Sequence, residues 1–222
     1  SNNEISKKYF NKSFKKNYNS LAYISIIEHE KSKNNNIAYQ IFTLNGPIAF
    51  LPISNQQTSV VYSFKGNKET NMEDMIKKHN KIYKIKKIND FQNFELKSND
   101  LRNYHYKNIL AFGDLLHKIH PLAGQGFNMT IRDIRELLEL IKFKMDHGLD
   151  IDESICRSFE KNLKFKNHLF TSGVDLIYEM FNLENFTRSN ILSKSIKFLG
   201  NNKIANKLFT NIADKGILPK DY

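Results

Sequence analysis

The chain has 222 residues, 40% hydrophobic and 26% charged, with a formal charge of +11; this composition suits a globular protein and excludes an intrinsically disordered one. No apolar run approaches the roughly 18 residues that cross a bilayer, and no basic-then-apolar leader opens the sequence. The single cysteine, Cys156, excludes an internal disulfide, so a reducing, cytoplasmic setting is expected, with Cys156 packed on a helix face.

The positive charge is mostly lysine, scattered in pairs such as Lys15–Lys16 and Lys86–Lys87 among many asparagines. No arginine-rich helix or zinc-finger spacing accompanies it, so no nucleic-acid partner is expected. Attraction to an anionic membrane surface, and with it a peripheral position on that membrane, stays open.

Residues 1–20 are polar. Leu21–Ile27, Ile37–Leu44, Ile48–Ile53 and Thr58–Phe64 are then rich in branched and aromatic residues and are predicted strands. Asn45–Gly46 between two of them signals a hairpin, and short connections throughout imply a largely antiparallel sheet. Thr70 with Glu73 resembles a capping box that opens a helix running to about Tyr83. Residues 84–107 hold one or two short strands, and Asn108–Phe112 is a compact strand ending at Gly113–Asp114.

There the period changes. Phe127, Ile131, Ile134, Leu137, Leu138, Ile141 and Met145 follow the spacing of a helix. Gly148 stands at its C-terminal cap, and Asp150 or Asp152 caps the next helix, through Phe159, Leu163 and Leu169. Further helix is expected to Phe209, broken near Asn185 and at Gly200–Asn202. The expected fold is α+β with an α/β element: an antiparallel sheet with one helix over 1–107, a strand–loop–helix over 108–147, and C-terminal helices over 148–222.

The chemistry is concentrated in the stretch from Asn108 to Asp133. A strand delivers an acidic residue, Asp114, at its C-terminal end, and a loop containing Gly124 and Gly126 leads into a long helix. Ligands of α/β folds sit beyond the carboxyl ends of strands, and a helix N-terminus favours an electron-rich group. Asp114 can accept a hydrogen bond from a sugar-like hydroxyl, and the glycines let backbone approach a flat ring.

The wording Gly113-Asp114-x-x-His117-x-x-His120-Pro121-Leu122-Ala123-Gly124-Gln125-Gly126-x-Asn128, with Arg132-Asp133 after it, resembles the second FAD motif of the p-hydroxybenzoate-hydroxylase-like flavin monooxygenases. The His-Pro-Leu-Ala-Gly-Gln-Gly part looks like the branch acting on ubiquinone precursors. Phe42 to Pro52, with Gly46-Pro47 and Leu51-Pro52, is similar to that branch's substrate-domain stretch. The resemblance implies FAD as cofactor, NAD(P)H as reductant, and O₂ and a prenylated phenol as substrates. The implied reaction is hydroxylation of an aromatic ring in ubiquinone biosynthesis.

Carried over position by position, Asp114 matches the residue that holds the ribityl chain, and Pro121 lies where the loop passes the flavin ring. Gly124, Gln125, Gly126, Phe127 and Asn128 match the segment facing the pyrimidine end of the ring. Leu115–Leu116 departs from the family's two small residues, and bulk there would crowd the flavin's sugar side. Arg132 and Asp133 are expected to brace the loop. His117 and His120 are three apart but have only Asp133 as a further nearby donor, so no metal site is expected. Tyr39, Phe42 and Phe50 are candidates for a substrate pocket or for plain core. His29, between Glu28 and Glu30, is expected at the surface, and no catalytic acid or base is evident.

The family also carries an N-terminal Gly-x-Gly-x-x-Gly unit for the FAD diphosphate, and no such pattern occurs among the nine glycines here. The chain begins at Ser1, and Ser1–Ile5 resembles the segment just after the family's Asp-Gly dipeptide. The expectation is a C-terminal half whose N-terminal Rossmann-like half lies elsewhere. An inactive fragment or split-gene remnant, docking in a hydroxylase complex, is the alternative.

Overall fold

The computed structural model describes residues 4–66, 70–121, 124–187 and 207. In chain order the elements are α1 (Glu4–Tyr9), β1 (Ser13–His29), β2 (Tyr39–Thr43), β3 (Gly46–Pro52), β4 (Gln57–Phe64), α2 (Met72–His79), β5 (Ile85–Ile88) and β6 (Gln92–Leu101). After these come β7 (His105–Tyr106), β8 (Ile109–Leu110), a short 3-10 turn (Gly113–Leu115), β9 (His117–Lys118), α3 (Gln125–Asp146) and α4 (Glu153–Thr187). The chain forms two compact units, residues 17–96 and residues 1–16 with 97–222, and crosses between them inside β1 and β6.

The 17–96 unit is an antiparallel sheet in the order β2-β3-β4-β1-β6, with β5 also pairing with β1. Its register sets Tyr23 opposite Tyr62 on β1 and β4, and Ile48 opposite Tyr62 and Phe50 opposite Val60 on β3 and β4. These residues share one face, and with Ile27, Phe64, Met72, Ile76 and Tyr83 they form the core under α2. The four expected strands are present. β1 is much longer than Leu21–Ile27, because Tyr18 and Ser20 are also buried in its otherwise polar N-terminal half.

Three local expectations are corrected. The cap of α2 is Asn71, not Thr70: its Oδ1 accepts from Glu73 N at 3.0 Å and Asp74 N at 3.5 Å. The helix stops at His79, short of Tyr83, because the Asn80 side chain takes over the chain's bonds. Its Oδ1 accepts from Ile82 N and Tyr83 N, and its Nδ2 donates to Tyr83 O at 2.6 Å.

His29 is 2% exposed, not a surface residue. Nδ1 lies 2.8 Å from Glu30 O and Nε2 3.0 Å from Thr58 Oγ1. A carbonyl can only accept, so Nδ1 carries the hydrogen. Asn35 also donates to Thr58 Oγ1, and Tyr83 OH donates to Asn35 Oδ1. The flanking glutamates suggested a solvated patch, but this closed polar set is what buries the ring.

In the other unit, the expected strand Asn108–Phe112 is reduced to Ile109–Leu110, paired antiparallel with β7 in a tight hairpin. Ala111 N bonds Tyr104 O at 2.8 Å, the next rung of the same hairpin. β6 is a ten-residue strand whose end pairs with β9, Asp100 opposite His117. Phe10, Leu101, Tyr104, Ala111, Leu116, Phe159 and Leu163 make the core there.

α3 departs from its apolar pattern. Ile134, Leu138 and Met145 are exposed, while Met129, Asp133 and Glu136 are the buried line. Two acids can face inward because side chains of neighbouring elements bond them, Asn162 Nδ2 reaching Glu136 Oε1 at 2.6 Å. Gly148 ends the helix as expected, its N–H bonding Met145 O. Asp152 caps α4 by accepting from the Ser154 N–H. Cys156 is buried, and α4 continues to Thr187, through Asn185. The expected break at Gly200–Asn202 lies outside the described residues.

Candidate functional site

The residues singled out between Asp114 and Asn128 lie on one continuous stretch of the 1–16/97–222 unit. Gly113, at φ +59°, starts the 3-10 turn that presents Asp114 to solvent. No described residue engages the Asp114 carboxylate. Leu115 and Leu116 turn the other way, into the core beside Phe10 and Phe159. Their bulk is therefore taken up by the interior, and the crowding expected at these positions does not arise on the open side.

β9 comes next, and here the loop is anchored. His117 Nε2 hydrogen-bonds Asp133 Oδ2 on α3, and Asn167 Nδ2 on α4 donates to Asp133 Oδ1 at 3.1 Å. All three side chains are buried. Asp133 thus braces the loop as expected, and His117 is its partner. Asn167 carried no signal in the sequence, because its 34-residue separation from Asp133 is bridged only by the pairing of α3 with α4.

Ile119 packs with Met129, Phe170 and Val174. His120 is also buried, its ring centroid 4.3 Å from that of Tyr178. Burial first, and then the charge of Lys16, lower its pKa to about 4. Arg132 lies 4.5 Å over the Phe170 ring, an inward role distinct from that of Asp133.

Pro121 is exposed, and its carbonyl accepts from Gly124 N at 3.3 Å. Leu122 and Ala123 lie outside the described residues. Gly124 caps α3 at φ +64°, the left-handed region, with no side-chain cap bond. A Cβ placed on Gly113 or Gly124 would meet nothing within 4 Å. The first turn of α3 consequently opens onto free space, with Gln125, Gly126 and Asn128 half-buried and Phe127 73% exposed. α3 packs directly on the Gly113–Leu115 turn, which keeps the Asp114 turn and the helix start in one assembly. Glycine backbone, an exposed carboxylate and a positive helix end fit the flavin half of FAD. Among the described residues no group of His, Cys, Asp and Glu could hold a metal ion.

In the 17–96 unit, Tyr39 and Phe50 are directly opposed on β2 and β3. Phe50 is wholly buried in the core, and Tyr39 is exposed. Phe42 stands on the opposite face. The register puts Gln40, Ala49, Leu51, Val61, Ile24 and Ile26 on that same face, where Phe42 and Leu51 are exposed and the others half-buried. Sequence reasoning missed this second apolar face, although the strict alternation of the strands marks it.

A family model described as "FAD binding domain" matches residues 26–146. "Ubiquinone biosynthesis monooxygenase COQ6, mitochondrial" of Schizosaccharomyces pombe is 24% identical, covering 82% of this chain and 49% of its own length. "3-demethoxyubiquinol 3-hydroxylase" of Escherichia coli is 27% identical over 64% of this chain and 39% of its own length. The chain spans about half the length, or less, of the curated relatives it matches. Among solved structures, the Diels-Alderase PyrE3 superposes with a TM-score of 0.63 at 14% identity, covering 91% of this chain and 45% of its own. PqsL of Pseudomonas aeruginosa, "a probable FAD-dependent monooxygenase", gives 0.58 at 16% identity, over 78% of this chain and 53% of its own. At such identities these structures speak for the fold alone.

Proposed function

We propose, for a chain that belongs to the FAD binding domain family, that it forms the flavin-ring half of a monooxygenase hydroxylating the aromatic ring of a prenylated phenol in ubiquinone biosynthesis. The observation that carries this is the loop from Gly113 to Asn128, open at both positive-φ glycines and braced from behind by Asp133. The names of the relatives from fission yeast and Escherichia coli supply the pathway.

Bound FAD, reduced by NAD(P)H, supplies the activation of O₂. This chain's residues bind and orient. Asp114 would accept a hydrogen bond from a ribityl hydroxyl, and the uncapped N–H groups at the start of α3 would face the electron-rich pyrimidine edge, which the helix dipole favours. His117, Asp133 and Asn167 hold that helix start and the loop in register. The diphosphate-binding half is assigned to a segment outside these 222 residues, and a peripheral membrane position goes with the greasy substrate.

Titration of the purified chain by flavin fluorescence tests this. FAD and riboflavin should both bind weakly and saturably, without turnover. Gly124→Val, which fills the open space and strains a left-handed residue, should weaken both about tenfold or more. Absence of saturable binding by either flavin, even with a nucleotide-binding half supplied in trans, sinks the reading.

A further inference from the structure

A cleft of about 1160 Å³ opens in the 1–16/97–222 unit, and none of its lining residues belongs to the Gly113–Asn128 stretch. Its walls are Phe14 at the start of β1, the end of β6 with the turn after it, and the flank of α4 from Arg157 to His168. Pockets that hold compact organic ligands measure roughly 300–1,000 Å³, so this cleft admits something larger than a single small ion.

Its charges are not equivalent. Glu160 is already engaged, accepting from Tyr104 N at 2.9 Å and from Lys164 Nζ at 2.7 Å. Arg157 is held by Glu153, Nη2 to Oε1 at 3.0 Å. Asp100 is buried, and its Oδ2 takes His168 Nδ1 at 3.1 Å, which fixes the exposed imidazole and leaves its Nε2 edge for a ligand. Two cations are left over. Lys161 has no carboxylate partner among the described residues, and Arg102 lies 4.5 Å over the Phe14 ring instead of on an acid. Two rings keep much of their surface in water: Phe14, which carries Arg102 over its ring and has His168 6.0 Å away, is 53% exposed, and Phe165 is 66% exposed.

We propose that this cleft binds a nucleoside phosphate, with the phosphate on Lys161 and Arg102, the base against Phe14 and Phe165, and the sugar toward His168. Inorganic phosphate would satisfy the cations but leave both rings in water, and a neutral ring compound would cover the rings but leave both cations unanswered. A planar body carrying an anion satisfies both sets, and a guanidinium already stacked on a ring adds its own attraction for a second ring. The inference stands apart from the flavin reading.

Isothermal titration calorimetry on the full chain at low ionic strength, where exposed cations are least screened, decides it. ADP should bind saturably at or below about 1 mM, with adenosine and inorganic phosphate each weaker by about tenfold or more. Lys161→Gln and Arg102→Gln should each weaken ADP about fivefold or more. Both residues are exposed, so an unchanged melting curve verifies that the variants fold. The proposal is wrong if ADP does not saturate, if phosphate or adenosine equals it, or if either variant binds ADP like the parent. Riboflavin, which has no phosphate, reads the flavin loop on the same preparation, so the two readings fail separately.

Discussion

In the 17–96 unit the interior is one apolar cluster of strands, helix and Tyr83, tied at its end by the His29–Thr58–Asn35 set. Behind the Gly113–Asn128 stretch two apolar clusters are joined by a buried polar set, with His117, Asp133 and Asn167 buried together and Glu136 bonded to Asn162 on the same helices. An apolar core tolerates exchange of one hydrophobic side chain for another of similar volume. A buried polar set does not, because removing one member leaves the others desolvated and unmatched. The difference fits the two regions: one a scaffold with a greasy face, the other a loop held in a single arrangement.

The largest expected effect breaks the polar side of this comparison. Asp133→Ala removes the acceptor of both His117 and Asn167 and should cost about 3–5 kcal/mol, since each of two buried donors left unmatched costs about 1–3 kcal/mol. Adding His117→Ala to that background should cost much less than it does alone, since the hydrogen bond is already gone. Urea unfolding of the two single variants and the double variant checks this, and simple additivity would mean that His117 and Asp133 do not act together. On the apolar side, Phe50→Ala should cost about 3–5 kcal/mol while Phe50→Leu loses only about 1.5 kcal/mol. Asp133→Leu, in contrast, should recover none of the loss, because an apolar side chain offers nothing to His117 Nε2. Equal tolerance of leucine at the two positions would erase the distinction drawn between the regions.

The same difference governs how legible each region was. The sheet could be read because Ile48, Phe50, Val60 and Tyr62 alternate with residues of the other face, and Asn45–Gly46 marks the hairpin. The polar half of β1 and the strand β6 were harder, since Ser20, Ser98 and Asp100 are buried without being apolar. His29 was misplaced for that reason, its burial depending on Thr58 and Tyr83, which are distant in sequence. The glycine loop could be read from the spacing of Gly113, Gly124 and Gly126. The support behind it was only partly visible: Asp133 was placed as a brace, but Asn167 belongs to a pairing of α3 and α4 that no local pattern encodes. The inward face of α3 was misjudged because periodicity counts apolar residues, whereas here Asp133 and Glu136 occupy that face.

The smallest expected effect sharpens the comparison through pH. His120 sits on the loop side, buried against Tyr178, with its pKa held down to about 4 by burial and by Lys16. The unfolded chain takes up a proton at this histidine below about pH 6.5, while the folded chain resists until about pH 4. The associated stability is thus fully present above about 6.5 and falls as the pH drops toward 4, by up to about 1.4 kcal/mol per unit. By pH 5 the loss amounts to roughly 2 kcal/mol. His120→Phe, which keeps a ring against Tyr178 but cannot titrate, should remove that slope from pH-dependent urea melts. Hydrogen exchange, corrected for its intrinsic pH dependence, should locate the effect. Amides of residues 117–120 and 124–129 should open more readily between pH 6.5 and 5 in the parent chain and not in the variant, while those of residues 48–62 stay protected in both. Loosening of the 48–62 amides over the same range would show that acid acts on the apolar core as well, and the pH response would then not separate the two regions.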